Sequence, residues 1–406
     1  MKLLFLTLGD MPSIKHHEIY PDLLREFIKN GHEVYVACAR ERRYNLPTEL
    51  FEEAGAKLLK IHVGNITKTN IIEKGISTVL IGQQYKVAIK KYFSNVKFDL
   101  VMYSTPPITL AGVVEYVKKR DDAKTYLLLK DIFPQNAVDI GVLSKKGIKG
   151  IIYRFFRRKE KKLYAISDRI GCMSQANVNY IIEHNPEIEL QKVEVCPNSI
   201  EVFDKSVSEE EKIVIRNKYN IPLDKKVLVY GGNLGKPQGI DFLIECLRSL
   251  EKNEEVFFLI VGDGTEYPKI EKYVCDEKPH DVCLMKSLPK EDYDLMVGAC
   301  DVGMIFLDHR FTIPNFPSRI LSYMQAKIPV LAVTDSNTDI GQVIVKGSFG
   351  WWCESNDVGM FAKNVKIIAE SDLKEKGELS YQYLNRHYST KSSYMIIQKF
   401  LRGSNE

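Results

Sequence analysis

Short apolar runs alternate with amphipathic segments along the whole chain. The same succession of strand, helix and strand is predicted twice, at 2–9, 20–30 and 31–38, and again at 225–232, 240–250 and 256–264. A strand, a glycine turn, an amphipathic helix and a further strand make up the βαβ unit of a parallel sheet. Because this unit recurs so far along the chain, we predict two doubly wound α/β domains rather than one extended sheet.

Further apolar runs of strand length fall within both predicted domains. They are flanked by Gly, Pro or Asp, which is typical of strands buried on both faces, and they lie at 98–104, 124–130, 168–174, 301–307 and 328–334. We therefore predict one domain at 1–200 and a second at 201–382. A C-terminal helix at 383–406 follows, and whether it crosses back onto the first domain is left open.

Composition narrows the class of protein. A chain of 406 residues is too long for a single hydrophobic core, which favours two domains. Its content of 45% hydrophobic and 27% charged residues is typical of a globular protein. No window approaches the ~18 apolar residues of a spanning helix, and the opening run is interpreted as a first strand, not a signal segment. Eight scattered cysteines without a C-x-x-C pair favour reduced thiols in a cytoplasmic protein. A net charge of only +4 makes nucleic acid an unexpected partner.

A glycine-rich turn, YGGNLGKPQG at 230–239, is the most informative segment. Its glycines let backbone amides approach a bound group, the following helix points its N-terminal amides at the loop, and Lys236 adds a cation, so a diphosphate cradle is one interpretation. A tight turn without ligand is the other. The pattern is neither G-x-G-x-x-G nor a P-loop, and we see no acidic residue closing the next strand, so a dinucleotide is not expected.

A second segment, TIPNFPSRILSYM at 312–324, predicts a helix start at Pro317 with Ser318 and Arg319 in its first turn. A cation there opposes the helix dipole, so Arg319 is best explained by an anion shared with the free amides. The alternative is a surface arginine that turns outward. If this helix start and the glycine loop end neighbouring parallel strands, they meet on one anion.

A third segment, LLLKDIFPQNAVDIG at 127–141, places Lys130 and Asp131 at the carboxyl end of a buried strand. Asp131 is interpreted either as a base or holder of an acceptor hydroxyl, or as an ordinary helix cap. Pro106-Pro107 closes the preceding strand in the same way, and a rigid turn explains it.

Together, in this order, these segments resemble family 4 glycosyltransferases of the GT-B fold. More narrowly, they are similar to bacterial enzymes of the L-fucosamine transferase type, which build O-antigen or capsule repeat units on a lipid carrier. DIFPQNAVDIG is similar to D-I-[FWY]-P-x-x-A-V-D-x-G, and VCPNSIE to V-x-P-N-x-x-[DE]; GGNLGKPQG, VGDGTE and FPSRILSYMQAKIPV follow in the expected order. The resemblance implies two facing Rossmann-like parallel-sheet domains with a cleft between them.

The resemblance also implies a division of labour between the domains. The C-terminal domain would bind a UDP-sugar, and the N-terminal domain would present the acceptor, a polyprenyl-diphosphate-linked sugar, with Asp131 as the catalytic candidate and His16, His17 and Lys130 on the acceptor side. No metal or other cofactor is expected, because cations and helix N-termini stabilise the leaving diphosphate. The donor-binding candidates are Gly232, Asn233, Gly235, Lys236, Gln238, Gly262, Gly264, Asn315, Ser318, Arg319 and Ser322.

Some positions depart from the broader family. Its two glutamates, eight positions apart, correspond to Pro314 and Ser322, and the usual Arg and Lys of the glycine loop become Asn233 and Gln238. The same changes recur in the lipid-carrier subgroup. The D-x-D at 292–294 is interpreted as part of a helix and not as a metal motif.

The segment 145–164 carries nine Lys/Arg against a single Glu160. As a helix it would set Ile148, Ile151, Ile152, Phe155, Phe156 and Leu163 on one broad apolar side. We expect it to lie on an anionic membrane surface, which would place a cytoplasmic protein on the inner face of the plasma membrane. A core-facing helix with a solvated basic back is the alternative.

The resemblance thus implies a retaining, metal-independent hexosyltransferase acting in capsule or O-antigen biosynthesis, with an N-acetylated amino sugar as the expected transferred group. Two alternatives stay open. One is a UDP-sugar 2-epimerase, for which Asp308 and His309 are the nearby acid–base pair. The other is a non-catalytic nucleotide-sugar-binding assembly protein, suggested by the missing glutamates.

Overall fold

The computed structural model describes residues 1–67, 69–250 and 255–403. The chain divides into two compact units, Met1–Glu201 with Thr390–Glu406, and Val202–Ser389. Each unit is built on its own parallel sheet, which confirms the predicted fold class. Among the residues so described, no helix combines the length and the apolar character needed to span a bilayer.

The first unit alternates strands and helices up to the end of its sheet. Its elements are β1 Lys2–Leu6, α1 Ile19–Lys29, β2 Glu33–Glu41, β3 Glu49–Glu53, β4 Ala56–Val63, α2 Ile71–Tyr92, β5 Leu100–Ser104, α3 Ala111–Asp121, β6 Lys124–Leu129, α4 Gln135–Asp139, α5 Gly147–Ile166, β7 Arg169–Cys172, α6 Gln175–His184 and β8 Val193–Val195.

The eight strands of this sheet run in the order β3-β4-β2-β1-β5-β6-β7-β8. Only β3 is antiparallel to its neighbour, and it forms one edge. The chain order reverses between β1 and β5, so the loops after these two strands leave the sheet in opposite directions and open a crevice at their carboxyl ends. The predicted residues His16 and Pro106 lie in these two loops.

Helices cover both faces of the first sheet. On one face α2 packs on β4 and α3, and α3 packs on α5, so the three helices lie side by side. On the other face α1 buries Leu23, Leu24 and Phe27 against a core that includes Leu3 and Phe5 of β1. The strands are accordingly apolar on both faces, as expected for a parallel sheet between helices.

The second unit has six strands, all parallel, in the order β11-β10-β9-β12-β13-β14. This is the Rossmann order, in which the chain reverses between the first and fourth strands of the unit. Its elements are α7 Glu209–Lys218, β9 Lys226–Asn233, α8 Ile240–Arg248, β10 Val256–Asp263, α9 Tyr267–Glu277, β11 Val282–Met285, α10 Lys290–Gly298, β12 Val302–Phe306, α11 Ile320–Gln325, β13 Val330–Thr334, α12 Ile340–Lys346, β14 Gly350–Glu354, α13 Val358–Glu370 and α14 Lys374–His387.

The last helix, α15 at Thr390–Arg402, belongs to the first unit. The amide of Thr390 donates to the Ile200 carbonyl at 3.0 Å. Its apolar face packs against α1 and the sheet, where the Phe400 ring lies 5.7 Å from that of Tyr126. The chain therefore returns to the first unit at Thr390, and the residues from 383 to 389 lie in the second.

The structure corrects two local expectations. Helix α11 begins at Ile320, not at Pro317, because Ser318 and Arg319 form a preceding turn closed by the Leu321 amide on the Ser318 carbonyl. The stretch 42–97, for which the apolar pattern predicted no element, holds β3, β4 and the 22-residue helix α2.

The return of α15 can be tested by truncating one core side chain. Ile397 has no exposed surface, so Ile397→Ala removes methyl groups from the core and should lower the free energy of unfolding by about 2–5 kcal/mol. Met395 on the same helix is 60% exposed, and Met395→Ala should stay within about 0.5 kcal/mol of wild type. Urea unfolding measures both, and equal midpoints for the two variants would show that α15 does not pack as described.

Candidate functional site

The carboxyl end of β9 carries the glycine loop. Gly232 has φ +118°, a backbone conformation that residues with a side chain rarely adopt. A Cβ on Gly262 of β10 would lie 1.9 Å from the Gly232 carbonyl oxygen, and one on Gly264 would lie 2.4 Å from the Leu234 carbonyl oxygen. Gly262 in β10 and Gly264 directly after it therefore let the loop pack directly on the neighbouring strand.

Side chains within the loop brace its shape. The Gln238 Oε1 atom accepts from the Gly235 amide at 3.1 Å and from the Asn233 amide nitrogen at 3.0 Å. Lys236 is exposed at the start of a 3-10 turn. Asn233 and Gln238, predicted as donor contacts, thus hold the loop together, and Lys236 remains open to solvent.

Arg319 turns towards this loop. Its guanidinium carbon lies 4.4 Å from the centre of the Tyr230 ring, a cation–π contact. A Cβ on Gly232 would lie 3.6 Å from Nη2 and 3.8 Å from Nη1. The structure therefore brings the glycine loop and Arg319 together, and the outward-turned alternative for Arg319 does not hold.

The Nη1 atom of Arg319 is shielded from solvent and has no hydrogen-bond partner among the described residues. An arginine is always charged, and a shielded charged donor without a partner is costly. An anion resting on the bare backbone of Gly232 would satisfy it. This unpaired nitrogen is the strongest sign of a ligand site in the second unit.

Two tyrosines behind the glycine strand were not found from the sequence. The Tyr323 hydroxyl donates to the Met304 carbonyl at 3.0 Å and lies 3.3 Å from the Gly231 amide. A Cβ on Gly231 would lie 1.7 Å from the Tyr293 hydroxyl oxygen, so only glycine leaves room for it. Tyr293 is the central residue of the D-x-D at 292–294. The motif drew attention to its two aspartates, and the tyrosine between them was not considered.

The loops after β12 and β13 complete this edge of the sheet. The Asp308 amide donates to the Pro237 carbonyl at 3.0 Å, which joins the β12 loop to the glycine loop. The Thr338 hydroxyl donates to the Asn315 carbonyl, which joins the β13 loop to the β12 loop. Because β9 and β12 are the strands between which the chain order reverses, this edge is where a doubly wound sheet binds its ligand.

Two further polar atoms on these loops lack partners within the described chain, Asn315 Nδ2 and Asp335 Oδ2. Burial raises the pKa of Asp335 to about 6, although its Oδ1 accepts from the amides of Asn337 at 2.9 Å and Thr338 at 3.2 Å. Asp335 was missed because T-D-S-N after a strand is also an ordinary turn sequence.

Ser318 and Ser322, which were also predicted to bind the donor, lie around the start of helix α11. Ser318 and Arg319 precede α11, which has only six residues, so the expected contribution of a helix N-terminus at Arg319 is absent. Ser322 lies within α11 and donates its amide to the Arg319 carbonyl at 3.1 Å. Strand β10 extends to Asp263, so an acidic residue does close it, contrary to expectation. The glycine spacing alone then argues against a dinucleotide.

In the first unit, Asp131 follows β6 at the carboxyl edge of the sheet. The Thr105 Oγ1 atom accepts from the amides of Lys130 at 3.0 Å and Asp131 at 3.3 Å, which ties the loops after β5 and β6. Burial raises the pKa of the Asp131 carboxyl to about 6. Helix α4 begins after Pro134, so Asp131 caps no helix, and the ordinary alternative for this residue is removed.

Lys130 points into the first unit. Its Nζ donates to the Cys196 carbonyl at 3.1 Å, and burial lowers the pKa of the amine to about 8. Lys130 and Asp131 therefore share the carboxyl edge of β6, and the environment of each disfavours its charged form.

The two histidines are exposed in the loop after β1. His17 Nδ1 lies 3.5 Å from Asp22 Oδ1 and 3.6 Å from Glu201 Oε2, a spacing at which three ligand atoms could hold a metal ion. The Arg25 guanidinium, however, contacts all three groups, at 3.1 Å from His17 and 2.8 Å from Glu201. The cluster already contains its own cation.

The cysteines and the D-x-D need no chemical role. All eight cysteines are free thiols, and six of them are buried. Asp292 and Asp294 lie in α10 and pair with Lys218 at 3.0 Å and Lys205 at 2.8 Å. The helical interpretation of this segment is confirmed.

Comparison with known proteins places this architecture. Residues 211–383 match the family of glycosyl transferases group 1. A probable glycosyltransferase of Pseudomonas aeruginosa, WbjE, is 26% identical over 339 residues, covering 82% of this chain and 80% of that protein. The putative colanic acid biosynthesis glycosyl transferase WcaI of Escherichia coli K12 is 23% identical over 251 residues, covering 61% of this chain and 60% of that protein.

Solved structures share the whole fold at low sequence identity. The Anabaena protein Alr3699/HepE in complex with UDP superposes with a TM-score of 0.68 at 13% identity, covering 99% of this chain and all of that one. WaaG, a glycosyltransferase involved in lipopolysaccharide biosynthesis, gives 0.65 at 12% identity, with 97% and 98% covered. These structural matches show that the chain has the GT-B fold.

The buried carboxyl of Asp131 should make stability depend on pH. Its folded-state pKa is raised from 3.8 to about 6, so its contribution to stability is full below pH ~4 and is lost as pH rises through 6. Asp131→Asn cannot ionise, so it should gain up to about 3 kcal/mol relative to wild type between pH 4 and pH 7.5. Urea unfolding at both pH values measures this, with exposed Asp122→Asn as control. A pH-independent difference would contradict the assigned environment.

Proposed function

We propose that the chain is a retaining glycosyltransferase that moves a sugar from a UDP-sugar to a lipid-diphosphate-linked saccharide in capsule or O-antigen biosynthesis. One observation carries the donor side of this proposal: Arg319 Nη1, shielded and unpaired, beside the bare backbone of Gly232. The group 1 family match, relatives with glycosyltransferase names, and a UDP complex of the same fold support it.

The reaction requires stabilisation of the charge that develops on the leaving UDP. Arg319 supplies a fixed guanidinium beside the backbone of Gly232, and Lys236 supplies a mobile ammonium, so the proposal involves no metal ion. The unpaired Asn315 Nδ2 donates to the transferred sugar, proposed to be an N-acetylated amino sugar, and Asp335 Oδ2 accepts from one of its hydroxyls. Both act on loops joined to the glycine loop.

Acceptor binding is proposed for the first unit. With a pKa of about 6, Asp131 is suited to hold the attacking hydroxyl and take up its proton near neutral pH. Lys130, His16 and His17 lie on the loops that follow β6 and β1, and we propose that they bind the acceptor around this residue.

A lipid-linked acceptor requires contact with a membrane, and α5 is suited to it. Ile148 and Ile151 are 81% and 61% exposed, with Ile152 and Phe155 exposed beside them, whereas Leu163 is buried. The predicted apolar side is therefore exposed in the first half of the helix, among lysines and arginines, and buried near its end. Each such cation contributes about 1 kcal/mol at an anionic surface, so we propose peripheral binding to the inner face of the plasma membrane.

The epimerase alternative loses its candidate pair. Asp308 is engaged by the Arg310 guanidinium at 2.8 Å and 2.6 Å through both carboxylate oxygens, and the side-chain and backbone hydrogen bonds from Arg310 outweigh burial and lower the pKa of the carboxyl. A carboxylate held this way is a poor general acid or base near neutral pH.

Arg319 should control UDP binding. Removing a charge-assisted bond to phosphate costs about 1.5–3 kcal/mol, so Arg319→Ala should weaken UDP binding about 10- to 100-fold and remove most of the UDP-induced rise in melting temperature. Arg248→Ala, which removes an exposed arginine paired with Glu277, is the matched control and should keep the full shift. An unchanged shift in Arg319→Ala would place the diphosphate elsewhere.

The reaction class is tested with UDP-sugars and a diphosphate-linked lipid sugar. We expect a glycosylated lipid and free UDP only when both substrates are present, with product formation lowered at least tenfold in Asp131→Asn because its amide cannot take up the proton. Epimerised donor without acceptor would indicate an epimerase. Donor binding without turnover for any UDP-, GDP- or dTDP-sugar would indicate a non-catalytic protein.

A further inference from the structure

Helix α2 is apolar on two opposite sides. One side is buried in the first unit through Ile81, Tyr85 and Ile89. A soluble helix that faces water on its other side is normally polar there, so a second apolar side indicates that something covers it. That side presents Ile76, Val79, Leu80 and Val87, which are 57%, 57%, 50% and 55% exposed.

These exposed side chains fall on one side of the helix, so they form a stripe along the outer side of α2 that the exposed Gln83 interrupts. Ile76 and Leu80 also form one wall of an open groove of about 1180 Å³ beside the stripe. Scattered single hydrophobic residues are normal on protein surfaces, but a stripe of four on one helix is not.

The stripe shares its layer with α5. Because α2 packs on α3 and α3 on α5, the three helices lie side by side on one face of the sheet, and their outer sides face away from it together. Helix α5 presents its own apolar stripe, Ile148, Ile151, Ile152 and Phe155. The outer surface of the layer thus has an apolar stripe on each flank.

Cations fill the strip between the two stripes. The ring of Tyr116 on α3 lies 5.1 Å from Lys86 Nζ and 5.0 Å from Lys90 Nζ, whereas the nearby Arg120 is paired with Asp121. Lys119 and Lys162 both pair with Glu115, at 3.0 Å and 2.7 Å. An acidic group at this position is therefore already neutralised, and the strip is positive.

We propose that α2, α3 and α5 form one membrane-binding face, in which α2 is a second insertion stripe and the cations between the stripes contact anionic lipid headgroups. The inference rests on the membrane contact proposed above for α5 and extends it to α2. Apolar stripes set among lysines and arginines match a bilayer with anionic lipids in both shape and charge. A second copy of the chain would place positive strips against each other, which is unfavourable.

Binding to vesicles of phosphatidylglycerol and phosphatidylcholine tests the proposal, with the full-length protein and a flotation assay. Val79→Ser with Val87→Ser should weaken partitioning to the mixed vesicles at least tenfold, because these two exposed apolar side chains can no longer insert into the apolar layer of the bilayer. Ile213→Ser with Val214→Ser, on α7 of the second unit, removes a similarly exposed pair of 48% and 67% and should change nothing. Wild type should bind pure phosphatidylcholine vesicles far more weakly.

The outcomes separate this inference from the function on which it rests. If Ile148→Ser with Ile151→Ser abolishes vesicle binding while the α2 variant binds as wild type, α5 alone contacts the membrane and the inference fails. If wild type binds neither vesicle, membrane contact itself fails. If the α2 variant abolishes self-association in sedimentation velocity without changing vesicle binding, a second copy covers the stripe, which also overturns it. The UDP-induced thermal shift, expected to persist in the α2 variant, shows that the variant is folded.

Discussion

One unpaired guanidinium nitrogen, Arg319 Nη1, marks the ligand site proposed for the second unit. Arg319 lies against the Tyr230 ring, beside backbone that has no side chain, and its Nη1 is closed off from water and from every described acceptor. Leaving a shielded charged donor unpaired costs stability, and the fold keeps it only because Tyr230, Tyr323 and the glycine strand hold the surroundings in place. An anion would relieve this arrangement, and the diphosphate of a UDP-sugar is the anion proposed above for this edge of the sheet.

The glycines at this edge are a consequence of the same constraint. For one anion to contact both the glycine loop and Arg319, the loop must lie close to Arg319. This requires Gly262 in β10 and Gly264 directly after it to lie under the loop without side chains. The Tyr293 hydroxyl in turn occupies the space that a side chain at 231 would fill. The short spacing between strands and loop, rather than any one polar contact, therefore sets where a phosphate can rest.

Much of this could be predicted from the sequence, because strands buried on both faces leave a simple apolar signal and glycine turns mark their carboxyl ends. The parallel sheets and the meeting of Gly232 with Arg319 belong to that class. The helix start at Pro317 was wrong because the turn at 317–319 is decided by hydrogen bonds, not by proline alone. Helix α2 was missed because it is apolar on both sides and so lacks helical periodicity, and Asp335 because burial, which pattern does not show, separates it from a turn aspartate.

Each unit contains ionisable side chains that are buried at the carboxyl edge of its sheet. Asp131 and Lys130 follow β6, which neighbours β5, and Asp335 follows β13, which neighbours β12. Burial disfavours the charged form of each of these three side chains. Groups of this kind lower stability near neutral pH, so an apolar residue would serve the core better at each position. They lie at the carboxyl edges, where doubly wound sheets bind ligands, and the proposed function gives such groups a use in proton transfer and hydrogen bonding to substrates. In the second unit this argument is independent of Arg319, and it leads to the same edge of the sheet.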